Sequence, residues 1–427
     1  MVLFSGIAAG AQSGEYLSYA PYSIYGIGNL TAPGSPYNRS MGGVGIASRN
    51  VRYINTLNPA AVTARDTLSV MMEFSVGNDN TIFSQKLGTG AVAHSARNIT
   101  NIGSMAMSFP IWRHMAMMLG AAPYSSGGYE YSFKETDPSV IAKNGNISYS
   151  SYGQGALYRI FGGVGYRFGK NLSLGAEADY IFGNFEKDFT ETFSKTGYTA
   201  ALDKYTATVH GFTGKFGLQY EQKVSGTLKL GAGATYTMGT ALGGRVETVS
   251  ATTTTDTLGL GRTYSPQLAG ELGLGLSVNY SDKIRAEINY VKADWSRSGF
   301  DSTPGFSIAS SPLPFSASVR QGIRAGAEYI PDRYNIRHYY KRIAYRAGAY
   351  YNNEYFKVAG NEINSFGITL GATIPIPNQY NLYQGLSVSL DLGQRGTVAN
   401  SLVRERYARI TVGVNLHDIW FRKMRYE

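Results

Sequence analysis

The sequence predicts an all-β chain: a 14-stranded antiparallel transmembrane β-barrel with an N-terminal hatch, or plug, inside its lumen. Three features carry that expectation. Apolar residues recur at every second position over most of the length, the alternation of a strand with one apolar face. The connections between these segments are long and short by turns, and tyrosines gather at the segment ends.

Composition narrows the field before any element is placed. The 427 residues are 43% hydrophobic but only 16% charged, with 52 Gly, 33 Tyr and 14 Pro. Soluble domains average about 25% charged residues. Gly, Ser, Thr, Asn or a charge interrupts every apolar run short of the roughly 20 residues that a membrane helix requires, which excludes a helical membrane protein. The absence of Cys removes disulfide frameworks, thiolate metal sites and cysteine nucleophiles together. The net charge of +10, from 39 Lys+Arg against 29 Asp+Glu, would suit nucleic acid or an anionic membrane and decides nothing alone.

Residues 1–11 are apolar and end in Ala9-Gly10-Ala11, the small-x-small form that signal peptidase accepts, so they read as the remnant of a signal peptide and imply export. Residues 12–65 do not alternate. They are rich in Gly, Pro, Ser, Asn and Tyr, yet Leu17, Ile24, Ile27, Val44, Ile46 and Leu57 argue that they fold. A 14-stranded barrel is wide enough to leak small solutes if empty, and an irregular segment of this length ahead of the first strand answers as a plug.

The barrel itself is expected over 66–417, with strands near 66–77, 100–111, 115–124, 154–168, 171–184, 207–221, 226–240, 265–280, 283–295, 317–330, 341–353, 362–376, 384–394 and 404–417. In the twelfth, Phe366, Ile368, Leu370, Ala372 and Ile374 take one face while Ser365, Gly367, Thr369, Gly371 and Thr373 take the other. Connections 78–99, 125–153, 185–206, 241–264, 296–316, 354–361 and 395–403 are long and polar; 112–114, 169–170, 222–225, 281–282, 331–340 and 377–383 are tighter. Bacterial outer-membrane barrels have this asymmetry, with short periplasmic turns and long extracellular loops. Tyr180, Tyr236, Tyr290 and Tyr351 then fall at outer strand ends, and Tyr166, Tyr220, Tyr280, Tyr329 and Trp420 at inner ends, as two aromatic girdles require. Residues 418–427 are left as a periplasmic tail.

With the apolar alternates facing lipid, the lumen lining comprises Arg159, Arg167, Glu177, Asp179, Lys215, Lys229, Glu271, Arg285, Glu287, Arg320, Arg324, Glu328, Arg342, Arg346, Asp391 and Arg409. Charges of both signs in a restricted space are expected to pair across strands or around water. The basic excess is then partly a property of the lumen, and no nucleic-acid partner is implied.

The run Met41-Gly42-Gly43-Val44-Gly45-Ile46-Ala47, followed by Asn58-Pro59-Ala60, a first strand and 14 strands in all, resembles the FadL/TodX family of outer-membrane transporters for long-chain fatty acids and other hydrophobic compounds. Tyr22-Ser23-Ile24-Tyr25-Gly26-Ile27-Gly28 and Trp420-Phe421-Arg422-Lys423 resemble its Bacteroidetes version. The resemblance implies that 12–65 form the hatch, with Met41, Gly42, Gly43, Asn58, Pro59 and Ala60 as its motif. It also implies sideways release of cargo at a kink in the third strand, where Gly120 and Pro123 are the candidates. Proline lacks a ladder N–H and glycine weakens pairing, so a break there is physically sensible; an ordinary strand end at Pro123 is the alternative. The chain departs from the family in ending on Glu427 rather than an aromatic.

His94, His114, His210, His338 and His417 are scattered, and none has a partner at metal-ligand spacing. No Gly-x-Ser-x-Gly elbow and no phosphate loop is present. No enzyme activity, metal or cofactor is expected. The function read from the sequence is passive uptake of a hydrophobic, fatty-acid-like small molecule: capture by Tyr124, Tyr129, Tyr131 and Phe133 on loop 125–153, hatch movement and lateral release. The expected partners are membrane lipid and a hydrophobic ligand or detergent. A non-transporting subunit of an outer-membrane protein complex, in type IX secretion or assembly machinery, is the main alternative, and a general diffusion porin is the third.

Overall fold

In the computed structural model, fourteen antiparallel strands close on themselves. They are β1 (Ser69–Lys86), β2 (Val92–Trp112), β3 (Met115–Ser126), β4 (Ile147–Phe168), β5 (Leu172–Phe193), β6 (Ala201–Lys223), β7 (Leu228–Thr237), β8 (Glu271–Tyr280), β9 (Ile284–Asp294), β10 (Val319–Tyr329), β11 (Ala344–Val358), β12 (Asn361–Pro375), β13 (Gly385–Arg395) and β14 (Val403–Ile419). Each pairs with the next, and β14 returns to β1 from Ser69↔Ile419 to Gln85↔Val403. The structure describes residues 19–65, 68–86, 90–135, 137–252, 256–303, 305–306, 314–376 and 384–419, with backbone alone for 252 and 256–264. The expected signal remnant and Trp420 lie outside the described residues. No helix among the described residues is long and apolar enough to cross a membrane.

Every expected strand is found in its place, and β1, β2, β4, β5 and β6 run farther outward than the alternation suggested. In β5 the reason is plain. Its outward-facing residues are apolar from Leu174 through Ala176, Ala178 and Tyr180 to Phe182, then polar at Asn184, Glu186 and Asp188. The strand leaves the lipid there and continues as a ladder with polar residues on its outer face, so its signature fades where the membrane ends.

Several connections differ from expectation; 241–264, expected as a polar loop, forms a hairpin of Gly243–Thr252 and Asp256–Tyr264 laid along β6. Residues 354–361 are no long loop: β11 and β12 are joined by Ala359 and Gly360, both at positive φ (48° and 77°), as a two-residue hairpin turn demands. Loop 125–153 contains a strand, Tyr129–Lys134, paired with Ser148–Gly153 of β4, and a short helix, Pro138–Asn144. Residues 331–340, expected as a tight turn, belong to a longer folded loop, 330–343, carrying a 3-10 turn, Tyr339–Arg342. Arg342 therefore belongs to this loop and not to the lumen, because β11 begins only at Ala344.

Tyr166, Tyr220, Tyr280 and Tyr329 at one end of the wall and Tyr236, Tyr290 and Tyr351 at the other are exposed on the outside, with Tyr180 half-buried. Residues 19–64 lie within the ring of strands. They comprise the 3-10 turns Pro21–Ile24 and Pro59–Thr63, the bridge strand Asn29–Leu30 and the single-turn helix Pro36–Arg39. Close approach to the wall is possible because the wall is glycine-lined where they touch it. A Cβ on Gly348 would lie 2.3 Å from the Gly42 nitrogen, and Gly42 itself sits at φ +73°.

Candidate functional site: the filled lumen and the break in its wall

The N-terminal segment is held by side chains that the alternation turns inward. Glu287, midway along β9, accepts from the backbone N–H groups of Gly45 (3.0 Å), Ala47 (2.8 Å) and Ser48 (3.0 Å). The N–H of Gly42 donates to Thr369 at 2.8 Å, and Met41 is fully buried beside Tyr37, Val44 and Tyr53. Asn58 caps the 3-10 turn that Pro59 opens: its Oδ1 accepts from the Ala60 N–H (3.0 Å) and its Nδ2 donates to the carbonyls of Ile46 (2.7 Å) and Leu218 (3.2 Å). Asn-Pro-Ala thus satisfies a turn and ties two parts of the segment to the wall at once.

The predicted lining residues, Arg342 excepted, sit on wall strands, and most pair as low dielectric requires. Arg346 bonds Glu328 at 2.9 Å and lies over the rings of Tyr37 and Tyr53. Arg159 reaches Glu177 (3.7 Å) and Asp179 (3.6 Å), Lys215 reaches Glu177 (4.0 Å), Arg320 pairs with Glu271 (2.9 Å), and Arg409 with Asp79 (3.4 Å) and Asp391 (3.8 Å). Arg285 approaches Asp282 at 3.3 Å. Of the cations that line the two cavities beside Pro123, two stand apart. Among the described residues, no carboxylate lies within ion-pair distance of Arg39 or Arg324. Arg39 donates to the Gly34 carbonyl (3.2 Å) and Arg324 to Asn352 Oδ1 (3.3 Å).

The wall is incomplete on one side. β2 pairs with β3 only from Met105↔Ala121 to Trp112↔Met115. Above that point β2 continues beside β1 to Val92, whereas β3 turns to the N-terminal segment and pairs Ser125 and Ser126 with Leu30 and Asn29. The register of β3 on β4 slips between Pro123 and Ser125. Gly120 lies one residue below the parting, and a Cβ there would fall 2.3 Å from the ring of Phe161 and 2.6 Å from the Met105 carbonyl. Glycine therefore lets β3 approach both neighbours just before it departs from one, and Pro123 offers no N–H to a ladder that has already ended. Two cavities flank the extended segment Leu30–Pro33. They share Arg39, Arg320, Arg324 and Pro123, and the first also reaches Ile102 and Gly103 of β2 across the parting.

The outer end of the lumen is closed by an apolar core absent from the expectations. Tyr22, Ile24, Tyr25 and Ile27 pack with Trp295, Phe300, Phe306, Tyr355 and Phe356. Tyr129 is wholly buried in this core, with Tyr124 and Tyr131 against it, so these residues are not on an open loop. Tyr129, Tyr131, Phe133 and Tyr149 stack in a row at centroid spacings of 6.1, 6.2 and 4.7 Å.

Lys187 also escaped the sequence reading, since it lay in a segment read as loop. It is buried on β5 above Phe182, beyond the lipid zone, and its Nζ donates to the carbonyls of Ile24 (2.7 Å), Phe306 (3.2 Å) and Gly26 (3.4 Å). Burial pushes its ammonium down to about 7. A solvent-exposed lysine titrates near 10.4. Between those values the released state binds a proton that the closed state lacks, so opening becomes harder as pH rises through that window and is easiest below 7. Hydrogen exchange of amides 20–28, corrected for intrinsic rates, should accordingly show more protection at pH 8.5 than at 6.5. Lys187→Met should abolish that dependence and leave carbonyls unsatisfied, at about 1–3 kcal/mol for a buried group. An unchanged pH dependence in the variant would remove Lys187 as its source.

A family model described as BamG matches residues 1–427. The chain belongs to the BamG family. Among curated proteins nothing matches. Among solved structures, this BamG-family barrel is similar to the CymD monoaromatic hydrocarbon channel (TM-score 0.55, 15% identity, covering 90% of this chain and 97% of that one). It is similar in the same degree to the Ralstonia pickettii toluene transporter TbuX (TM-score 0.55, 15% identity, 89% and 97% covered). A Pseudomonas aeruginosa FadL homologue matches with TM-score 0.55 at 12% identity, over 92% of this chain and all of that one. At such identities the likeness establishes the fold: the BamG-family chain is a closed 14-stranded β-barrel with the architecture of the CymD, TbuX and FadL-homologue barrels. CymD is described as a channel and TbuX as a transporter.

Proposed function

We propose that this protein is a passive outer-membrane channel for a hydrophobic small molecule with an acidic head, fatty-acid-like in form. One observation carries the reading: the cavities beside Leu30–Pro33 meet the wall where β2 and β3 part, between Ile102 and Pro123. Cargo gathers at the half-buried end of the aromatic row, Tyr131 and Phe133, with Tyr129 buried beneath them and Tyr124 packed against the same core. It enters as the hatch shifts at Met41–Gly43 and Asn58–Ala60, and leaves sideways past Gly120 and Pro123. Arg39 and Arg324, with no carboxylate partner, are the groups available to the head. CymD is described as a monoaromatic hydrocarbon channel and TbuX as a toluene transporter, which supports apolar cargo. The two arginines favour an acid over a plain hydrocarbon.

Uptake of a radiolabelled long-chain acid by cells lacking other such channels tests this. Expression of the chain should raise uptake above the vector control, and Arg324→Gln should raise the half-saturating concentration about tenfold, the equivalent of about 1.4 kcal/mol. Uptake equal to the vector control would refute the reading.

A second reading is that the barrel is a non-transporting subunit of a protein complex. The β2 edge from Val92 to Ser104, which β3 leaves unpaired, is a surface to which a partner strand could add. Co-purification of a partner at fixed stoichiometry would favour it. Occupation of the lumen by residues 19–64 weighs against an open diffusion porin.

A further inference from the structure

The loop between β10 and β11 is out of keeping with the other described turns at its end of the barrel. Those at 113–114, 169–171, 224–227 and 281–283 do no more than reverse the chain, whereas 330–343 folds on itself. The Asp332 N–H donates to the Lys341 carbonyl (2.9 Å), and the Asp332 carboxylate accepts from the Tyr334 N–H (3.2 Å) and Asn335 Nδ2 (3.0 Å). Asn335 Oδ1 accepts from the His338 N–H at 2.7 Å.

Two contacts fix where this loop lies. Tyr345, the first lipid-facing residue of β11, donates its hydroxyl to the Tyr340 carbonyl at 3.1 Å. The Tyr339 hydroxyl donates to the carbonyl of Pro375 at the foot of β12. The 3-10 turn is therefore drawn to the membrane side of the wall, continuous with the lipid-facing Tyr329, Tyr345 and Ile374. From that position it presents Ile336 (96% exposed), Tyr334 (68%) and Tyr340 (57%). Its charges are Arg333, Arg337, Lys341 and Arg342 against Asp332, whose carboxylate is already engaged inside the loop.

We infer that the loop at 330–343 is a docking site for the phosphodiester headgroups of anionic phospholipid in the periplasmic leaflet, with Arg337, Lys341 and Arg342 facing the phosphates and Ile336 and Tyr340 seated at the acyl boundary. Aromatic and apolar tips beside cations are the composition that suits the headgroup zone, where each Lys or Arg adds about 1 kcal/mol of attraction to an anionic surface. Continuity with the lipid-facing wall favours a lipid occupant over a soluble partner. The inference does not depend on what the lumen carries.

The test uses the full chain in nanodiscs of phosphatidylethanolamine and phosphatidylglycerol at 3:1, with the lipid released alongside the protein counted by native mass spectrometry. The wild type should retain phosphatidylglycerol severalfold above its bulk share. Combined Arg337→Gln, Lys341→Gln and Arg342→Gln should return the ratio to bulk, and Ile336→Ser with Tyr340→Ser should lower it partway. Heat-modifiable gel mobility verifies that each variant is a folded barrel. No enrichment in the wild type, equal enrichment in the triple variant, or retention of an acidic periplasmic protein in place of lipid would each overturn the proposal.

Discussion

Glu287→Ala should turn a nearly silent barrel into a conducting one. One buried carboxylate satisfies three consecutive-region donors of the N-terminal segment, at Gly45, Ala47 and Ser48. Removing it orphans all three, at about 1–3 kcal/mol each, a large share of whatever holds this stretch in the lumen. Planar-bilayer recordings of wild-type protein should be quiet, and the alanine variant should show frequent openings together with faster exchange of amides 42–48. Glu287→Gln, which keeps one acceptor oxygen, should fall between the two. Persistent silence of Glu287→Ala with unchanged protection at 42–48 would show that Thr369, Asn58 and the buried Met41 suffice to seat the segment.

Closing the break between β2 and β3 should stop cargo without blocking ions. The chain has no cysteine, so Ile102→Cys with Pro123→Cys places the only two thiols across the parting. A short reducible bismaleimide linker should bring uptake of a long-chain acid down to the vector background. Reduction should restore it to the level of the unlinked double variant, which controls for loss of the proline. The same linker should leave the conductance of the Glu287→Ala background unaltered, since that path runs down the lumen. Full uptake through the linked barrel would place the exit elsewhere and end the lateral-release mechanism.

Much of the architecture was readable because it is local. The pleat alone sends Phe366, Ile368 and Leu370 outward and Thr369 inward, whatever the rest of the chain does. Expectation failed where the alternation had nothing to report. The outer halves of β1, β2, β5 and β6 are polar outside the lipid and passed for loops, which hid Asp79 and Lys187. The β10–β11 loop passed for a turn because a run such as Arg333-Tyr334-Asn335-Ile336 has no period at all. The aromatic cluster Tyr129–Phe133 is visible in the sequence, but its strand is not, since its partner, Ser148–Gly153, is a polar stretch with little β signature.

The number of strands, their antiparallel order and the outward face of each apolar alternation follow from the sequence alone. Tertiary structure decided which luminal charges are neutralised and which are left over. Arg346 and Arg324 are alike in one dimension, both inward-facing cations on adjacent strands, yet only Arg346 has a carboxylate within reach. It also decided that β3 parts from β2 at Ala121, and that three carbonyls from two distant segments converge on Lys187. Such pairings depend on the register and spacing of chains far apart in sequence, and side-chain alternation fixes a residue's face while leaving its neighbour undetermined.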